Sequence, residues 1–256
     1  MKCFKDIHYM DGAHDRDLLD IYVPENPVKP TPVVIWFHGG GLEKGSKDGG
    51  IRLAEAHDRY GIATVSASYR LYPNAKYPEF IEDAAAAVAY TMNHIREYLD
   101  NPGGFFVSGA SAGAYLSMML CFDRSYLGKY GFDPDTDIAG WIHGSAQPTD
   151  HFNVLRERGY DTKRVMVTEA APLYHIDRST FSPMMILTSN ADIANRMNQN
   201  ILVRSTMQHF GAVNEIDLRI LSGRHCAFLK PREDGTVEQV EISKDFIMKY
   251  NRPHER

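Results

Sequence analysis

Short runs of β-branched and aromatic residues recur along the chain, separated by longer stretches with helical patterning. The runs predict strands at residues 3–9, 18–23, 32–37, 63–69, 105–108, 138–143, 184–188 and 216–221. The middle runs are almost continuously apolar, as strands covered on both faces must be. Helices are predicted at 51–60, 79–99, 112–121, 195–210 and 242–250, and Gly61 and Gly211 stand where two of them should end. Two early strands followed by strand–helix alternation predict an α/β class fold. Its expected core is an eight-stranded, mostly parallel sheet flanked by helices.

Residues 147–183 break this rhythm. They form a segment too long for a plain connection, with scattered polar and aromatic residues. Such an excursion is either a lid or binding insertion near a site or a peripheral pair of helices.

Length and composition narrow the picture. At 256 residues the chain has room for roughly 1.7 average domains. The eight strands use nearly all of that length, so residues 1–256 are expected to be one domain. With 43% hydrophobic and 24% charged residues the composition is that of a globular protein, not a disordered one. No apolar run approaches membrane-spanning length, so no membrane association is expected. The amino terminus has no apolar targeting segment, so a cytoplasmic protein is expected; a monomer or homodimer is expected as well. Net charge is −5 and basic residues are scattered, so nucleic acid is not an expected partner. The three cysteines are far apart, without a Cys-x-x-Cys, and the eleven histidines form no His-x-x-x-His pair. Neither a disulfide framework nor a metal site is expected.

The chemistry concentrates at Gly109-Ala110-Ser111-Ala112-Gly113, between a predicted strand and a predicted helix. A serine in Gly-x-Ser-x-Gly sits on a sharp strand-to-helix turn, and small flanking residues let strand and helix approach. By chance alone the pattern would occur in roughly one chain in ten of this length, so its setting carries the weight. A serine hydroxyl needs a base, and the oxyanion it generates needs donors. His38-Gly39-Gly40-Gly41 follows the strand at 32–37 and offers unobstructed backbone N–H groups. Gly40 and Gly41, with Ala112 at the helix start, are the candidate oxyanion donors. No Gly-Lys-Ser/Thr completes a phosphate loop, and His38 is expected to brace the turn. The candidate base is His225, directly after the last strand. The candidate acid is Asp192, after the strand before it, with Asp177 and Glu169 as substitutes. The order Ser111, Asp192, His225 is the one used where the nucleophile sits on such a turn.

With these motifs the chain resembles the α/β-hydrolase superfamily, specifically the serine carboxylesterases with an HGGG oxyanion loop. That group includes hormone-sensitive-lipase-like esterases and small carbohydrate esterases that remove acetyl or feruloyl groups. The likeness also covers Leu19-Asp20-Ile21-Tyr22-Val23-Pro24, Gly45-Ser46, Tyr69-Arg70-Leu71-Tyr72-Pro73, Tyr77-Pro78, Glu82-Asp83 and Phe228. It departs from the lipase-like members at Ala110, where they often carry Asp. It also lacks room for their amino-terminal cap, since HGGG begins at residue 38. An open site suits bulky or sugar-bearing esters, so the carbohydrate esterases are the nearer likeness.

The resemblance implies a serine ester hydrolase acting through an acyl-enzyme, without metal or organic cofactor. Its expected partner is a small-molecule or oligosaccharide ester, with short-acyl or aryl groups such as acetyl or feruloyl. Two alternatives share the sequence: an amide or formamide hydrolase or peptidase of the same fold, and a non-catalytic hydrolase-like binding protein. Among aromatics, Trp36 and Trp141 read as core, while Tyr72, Tyr77 and Tyr174 are candidate linings of a sugar or aryl pocket. Cys226, beside His225, is either a redox-sensitive thiol or a small packing residue.

Overall fold

The structure, a computed structural model, describes residues 1–11, 14–212 and 216–253. Eight strands form one sheet: β1 (Lys2–His8), β2 (Leu18–Val23), β3 (Thr31–Phe37), β4 (Ala63–Ala67), β5 (Pro102–Ala110), β6 (Gly140–Gly144), β7 (Met184–Ala191) and β8 (Ile216–Arg224). Their order is β1-β2-β4-β3-β5-β6-β7-β8. Strands β1 and β2 pair antiparallel, as do β2 and β4, and every pairing from β4 to β8 is parallel. The helices are α1 (Ile51–Asp58), α2 (Glu79–His94), α3 (Ala112–Phe122), α4 (Arg124–Gly128), α5 (Phe152–Glu157), α6 (Arg196–His209) and α7 (Glu238–Tyr250). None of the described helices is long and apolar enough to cross a membrane.

All eight predicted strands and all five predicted helices are present. Gly61 and Gly211 both adopt positive φ, 66° and 91°, as helix-ending residues do. The central strands explain their near-continuous apolar sequence by facing two cores. On β3, Val33, Ile35 and Phe37 join the larger core, while Val34 and Trp36 point to the opposite face. The larger core is packed by α2 and α3, and Val203 and Met207 of α6 close it. Within α2, the run Ala84–Ala89 combines high helix propensity with burial. Helix α3 is buried along its whole length, which fits a sequence with no polar stripe. The opposite face is covered by α1 and α7, through Leu53, Ala56, Val240 and Ile247.

Parallel order places the carboxyl ends of β3, β5, β6, β7 and β8 on one rim, where the chain turns into loops. The loops after Phe37, Ala110, Gly144, Ala191 and Arg224 therefore meet there.

Burial also sets an acid sensitivity. His57 and His143 are fully enclosed, and burial pulls both imidazoles down to about 3. Burial, only partly offset by the Gly39 carbonyl, brings His38 to about 4. Burial and two nearby arginines hold His151 low as well. These groups stay neutral in the folded chain but protonate near pH 6.5 once unfolded, so the unfolded state binds more protons below that pH. Stability is complete above about pH 6.5 and falls as pH drops toward 4, with a slope on the order of 1 kcal/mol per pH unit for each histidine. The thermal midpoint, followed by calorimetry, is expected to drop steeply between these limits. A flat profile would contradict the neutral buried state.

Candidate active site

Ser111 sits on the turn between β5 and α3, with φ 53° and ψ −112°. This is a sparsely populated conformation for a side-chain-bearing residue, and the surroundings hold it there. The Ser111 amide donates to the Gly144 carbonyl at 2.7 Å, which ties the turn to the end of β6. Both motif glycines are required by contact. A Cβ on Gly113 would lie 2.0 Å from the Phe37 carbonyl oxygen, and one on Gly109 would lie 2.2 Å from the Gly113 oxygen. Strand and helix could not approach so closely with larger residues.

The three residues singled out by chain order meet in one hydrogen-bonded relay. Ser111 Oγ lies 2.9 Å from His225 Nε2, and His225 Nδ1 lies 2.5 Å from Asp192 Oδ1. The carboxylate can only accept, so Nδ1 carries the proton and Nε2 faces the serine hydroxyl as an acceptor. The Asp192 side chain is 1% exposed and His225 is 27% exposed, so the imidazole reaches the cleft and the carboxylate does not. Burial alone would raise the Asp192 carboxyl. Hydrogen bonds from His225 and Ser145 outweigh it, helped by the Ile193 amide, and hold the group below the usual carboxylate range. The substitute acids lie elsewhere: Glu169 pairs with Arg158, and Asp177 is exposed beside Arg178.

Facing Ser111 is the loop after β3. A Cβ on Gly39 would sit 3.3 Å from the Ser111 Cβ. Gly40 and Gly41 adopt φ of 121° and 68°, conformations that side-chain-bearing residues rarely take. Ala112 is the first residue of α3, so its N–H has no carbonyl one turn back to bond. His38 braces this loop, as expected: its Nδ1–H donates to the Gly39 carbonyl at 2.7 Å. Its ring stacks on Tyr69 at 4.3 Å, and the Tyr69 hydroxyl donates to the His38 carbonyl at 2.7 Å.

A cleft of about 850 Å³ opens over Ser111 and His225. Its walls include Trp36, Leu53, Phe152, Ile193, Leu229 and Val237, with Gly39, Gly40 and Gly41 on one side. The tyrosines expected to line it do not. Tyr77 donates to the Glu169 carbonyl, Tyr72 faces Arg156, and Tyr174 is exposed beside His175. The aromatic surface comes instead from Trp36, which is both core and cleft wall, and from Phe152.

Comparison with known proteins bears on the fold. The BD-FAE family model matches residues 19–139. A probable isoprenylcysteine alpha-carbonyl methylesterase of Arabidopsis thaliana is 32% identical over 106 residues, which is 41% of this chain and 22% of that protein. Carboxylesterase NlhH of Mycobacterium tuberculosis is 35% identical over 111 residues, 43% of this chain and 34% of that protein. The chain spans only 22–28% of the length of the first four curated relatives it matches. Among solved structures, the propionate-bound thermophilic esterase Est2 of Thermogutta terrifontis superposes with a TM-score of 0.70 at 25% identity, covering 91% of this chain and 89% of that one. A truncated carbohydrate esterase from gut microbiota shares the fold with a TM-score of 0.74 at 18% identity, over 98% and 96% of the two chains.

The chain has the α/β-hydrolase fold.

Within this fold the excursion at 147–183 holds one short helix, α5, and a single turn at Pro172–His175. It is fastened to the glycine loop: the Asn153 side-chain amide donates to the Gly41 carbonyl, and Arg156 pairs with Glu43. It thus supplies Phe152 as a wall and steadies the loop beside Ser111. Sequence reasoning also missed Ser145. This residue follows β6 with φ 49°, and its hydroxyl donates to Asp192 Oδ2 at 2.6 Å. Its carbonyl accepts from the buried Arg196 at 2.9 Å. No sequence motif marks it, although the strand it follows lies between those that deliver Ser111 and Asp192. Cys226 borders the cleft, but burial pushes its thiol up to about 12, so it is not a thiolate at neutral pH.

Proposed function

We propose that this protein hydrolyses carboxylic esters through an acyl-enzyme. The proposed nucleophile is Ser111, the base His225, the acid Asp192, and the oxyanion donors the N–H groups of Gly40, Gly41 and Ala112. The observation that carries the reading is the relay of 2.9 Å and 2.5 Å contacts from Ser111 through His225 to Asp192, at the mouth of a largely apolar cleft. In this mechanism Ser111 Oγ attacks the ester carbonyl while His225 Nε2 takes its proton, and Asp192 stabilises the imidazolium. The oxyanion is held by the three amides, each contributing on the order of 3 kcal/mol. Collapse of the tetrahedral intermediate expels the alcohol, protonated by His225. Water then repeats the sequence and frees the acid. Residues 1–256 are read as one α/β-hydrolase domain, supported by a single sheet whose strands run from Lys2 to Arg224.

Short-acyl and aryl esters are the proposed substrate class, with acetyl or feruloyl esters of sugars as its natural members. Three observations support this. Trp36 and Phe152 offer aromatic walls. Solved Est2 structures hold propionate and butyrate. A carbohydrate esterase is among the structural neighbours. The deciding experiment uses 4-nitrophenyl acetate to decanoate, acetylated xylo-oligosaccharide, methyl ferulate and matched amides, together with labelling of Ser111 by a fluorophosphonate. Turnover of short esters above amides, with the label on Ser111, is expected. Labelling elsewhere, or amides cleaved as fast as esters, would overturn the reading.

Ser145→Ala tests the support of Asp192. It removes one charge-assisted hydrogen bond to the buried carboxylate, so a loss of about 1.5–3 kcal/mol in denaturant unfolding is expected. A roughly tenfold fall in kcat is expected with it, at little change in KM, because His225 would be less firmly oriented. Unchanged kcat would show that the second carboxylate oxygen does not matter to the site.

A further inference from the structure

Resting on the reading of this cleft as an ester-hydrolysing site, the geometry points to a substrate that carries an anionic group. Three cations line the cleft, and they arrive from three separate segments. Lys44 follows the glycine loop, and a Cβ on Gly40 would lie 3.1 Å from its Cγ, so its stem packs beside the proposed oxyanion donors. Arg52 stands on α1 next to the apolar wall residue Leu53. Lys230 follows the turn at Ala227–Leu229, five residues beyond His225. All three side chains are exposed, and among the described residues none has a hydrogen bond or ion pair from its charged end. The neighbouring Lys47 makes the contrast: it is buried and held by Asp6 and Asp20, each at 2.8 Å.

The only carboxylate among the lining residues, Glu43, is already engaged by Arg156. The cleft mouth therefore presents three uncompensated positive charges on a chain whose net charge is −5. Such a local reversal has no role in binding a neutral ester. Beside low-dielectric walls it focuses field lines toward the opening and raises the local concentration of anions. Apolar walls with a cationic rim fit an ester with an apolar body and a carboxylate or phosphate on its outer part.

The test compares kcat/KM within matched pairs, so that the charge is the only large difference. Mono-(4-nitrophenyl) adipate against 4-nitrophenyl hexanoate places a carboxylate on the acyl side. Acetylated 5-hydroxy-2-nitrobenzoate against 4-nitrophenyl acetate places it on the alcohol side. An acetylated sugar phosphate against the same acetylated sugar tests phosphate. At low ionic strength at least one anionic ester is expected to be preferred by about tenfold, with the ratio falling toward one at high salt. The same ratio is expected to collapse in the Arg52→Gln/Lys230→Gln double variant, with the remainder lost on adding Lys44→Gln. A wild-type ratio at or below one in all three pairs would overturn the inference, as would a preference that survives in the triple variant. The ester reading itself would stand in both cases, because the neutral esters are still turned over. Loss of turnover on every ester, neutral or anionic, would instead remove that reading and this one with it.

Discussion

Replacing Ser111 with alanine is expected to lower kcat on a short 4-nitrophenyl ester by roughly 10⁶-fold with the fold intact. The size follows from the division of labour in the site. Without the hydroxyl no acyl-enzyme forms, and His225 and Asp192 have no proton to relay. What remains is water attack on an ester held against the amides of Gly40, Gly41 and Ala112, worth roughly 10³–10⁴ over water. Folding should survive, because the turn is held by the backbone: the Ser111 amide to the Gly144 carbonyl, and the Tyr115 amide to the Ser111 carbonyl at 3.0 Å. An alanine Cβ occupies the same φ of 53° as the serine Cβ, so the strain is unchanged. Steady-state turnover and a thermal melt on the same sample separate the two effects. A variant with an unaltered melt and activity within tenfold of wild type would show that the chemistry lies elsewhere.

The strands were legible because the sheet is buried on both faces. The run at 32–37 has no polar position to obscure it, and its alternation serves two cores at once. Strand ends were harder to read. The pattern stops at Thr188 and Leu221, yet β7 continues to Ala191 and β8 to Arg224. Across these extensions Ser189 pairs with Leu221 and Ala191 with Arg224, the register shifts between them, and the Gly223 amide donates to the Asn190 side chain at 3.0 Å. The extensions matter to the site, because they deliver Asp192 and His225 at the rim rather than several residues beyond it.

The relay was legible for a different reason. Its three members each follow a strand, and parallel topology turns that sequence position into a spatial one. Ser145 follows a strand too, but a serine after Gly144 belongs to no motif, and only the 2.6 Å contact to Asp192 reveals its place. The cleft walls were the least legible part. Phe152 and Trp36 are brought together by the packing of α5 against the glycine loop, a tertiary contact through Asn153 and Arg156. Nothing local distinguishes those aromatics from Tyr72 or Tyr77, which the same packing turns away.

Asp192→Asn is expected to cost roughly 10⁴-fold in kcat, less than loss of the nucleophile but far more than loss of an ordinary hydrogen bond. The substitution keeps the shape and removes the charge. A buried carboxylate accepts from His225 Nδ1, from Ser145 Oγ and from the Ile193 amide at 2.7 Å. An asparagine must place an NH₂ group among these donors. If its NH₂ faces His225, the imidazole turns an acceptor toward it, and Nε2 then carries the proton that it should be taking from Ser111. If its NH₂ faces Ser145, that hydroxyl can rotate to accept, so the fold tolerates the exchange. The imidazolium formed during attack loses its counter-charge in either case. A pH signature accompanies the rate loss. The wild-type carboxylate is held below the usual carboxylate range, so its ionised form contributes stability above that range, which is lost as pH falls through the lower folded value. In Asp192→Asn that acid-side component is absent, so the difference in unfolding free energy between wild type and variant should shrink below about pH 4. A variant with near-normal kcat at neutral pH would show that His225 is oriented without Asp192, and the proposed relay would reduce to a serine–histidine pair.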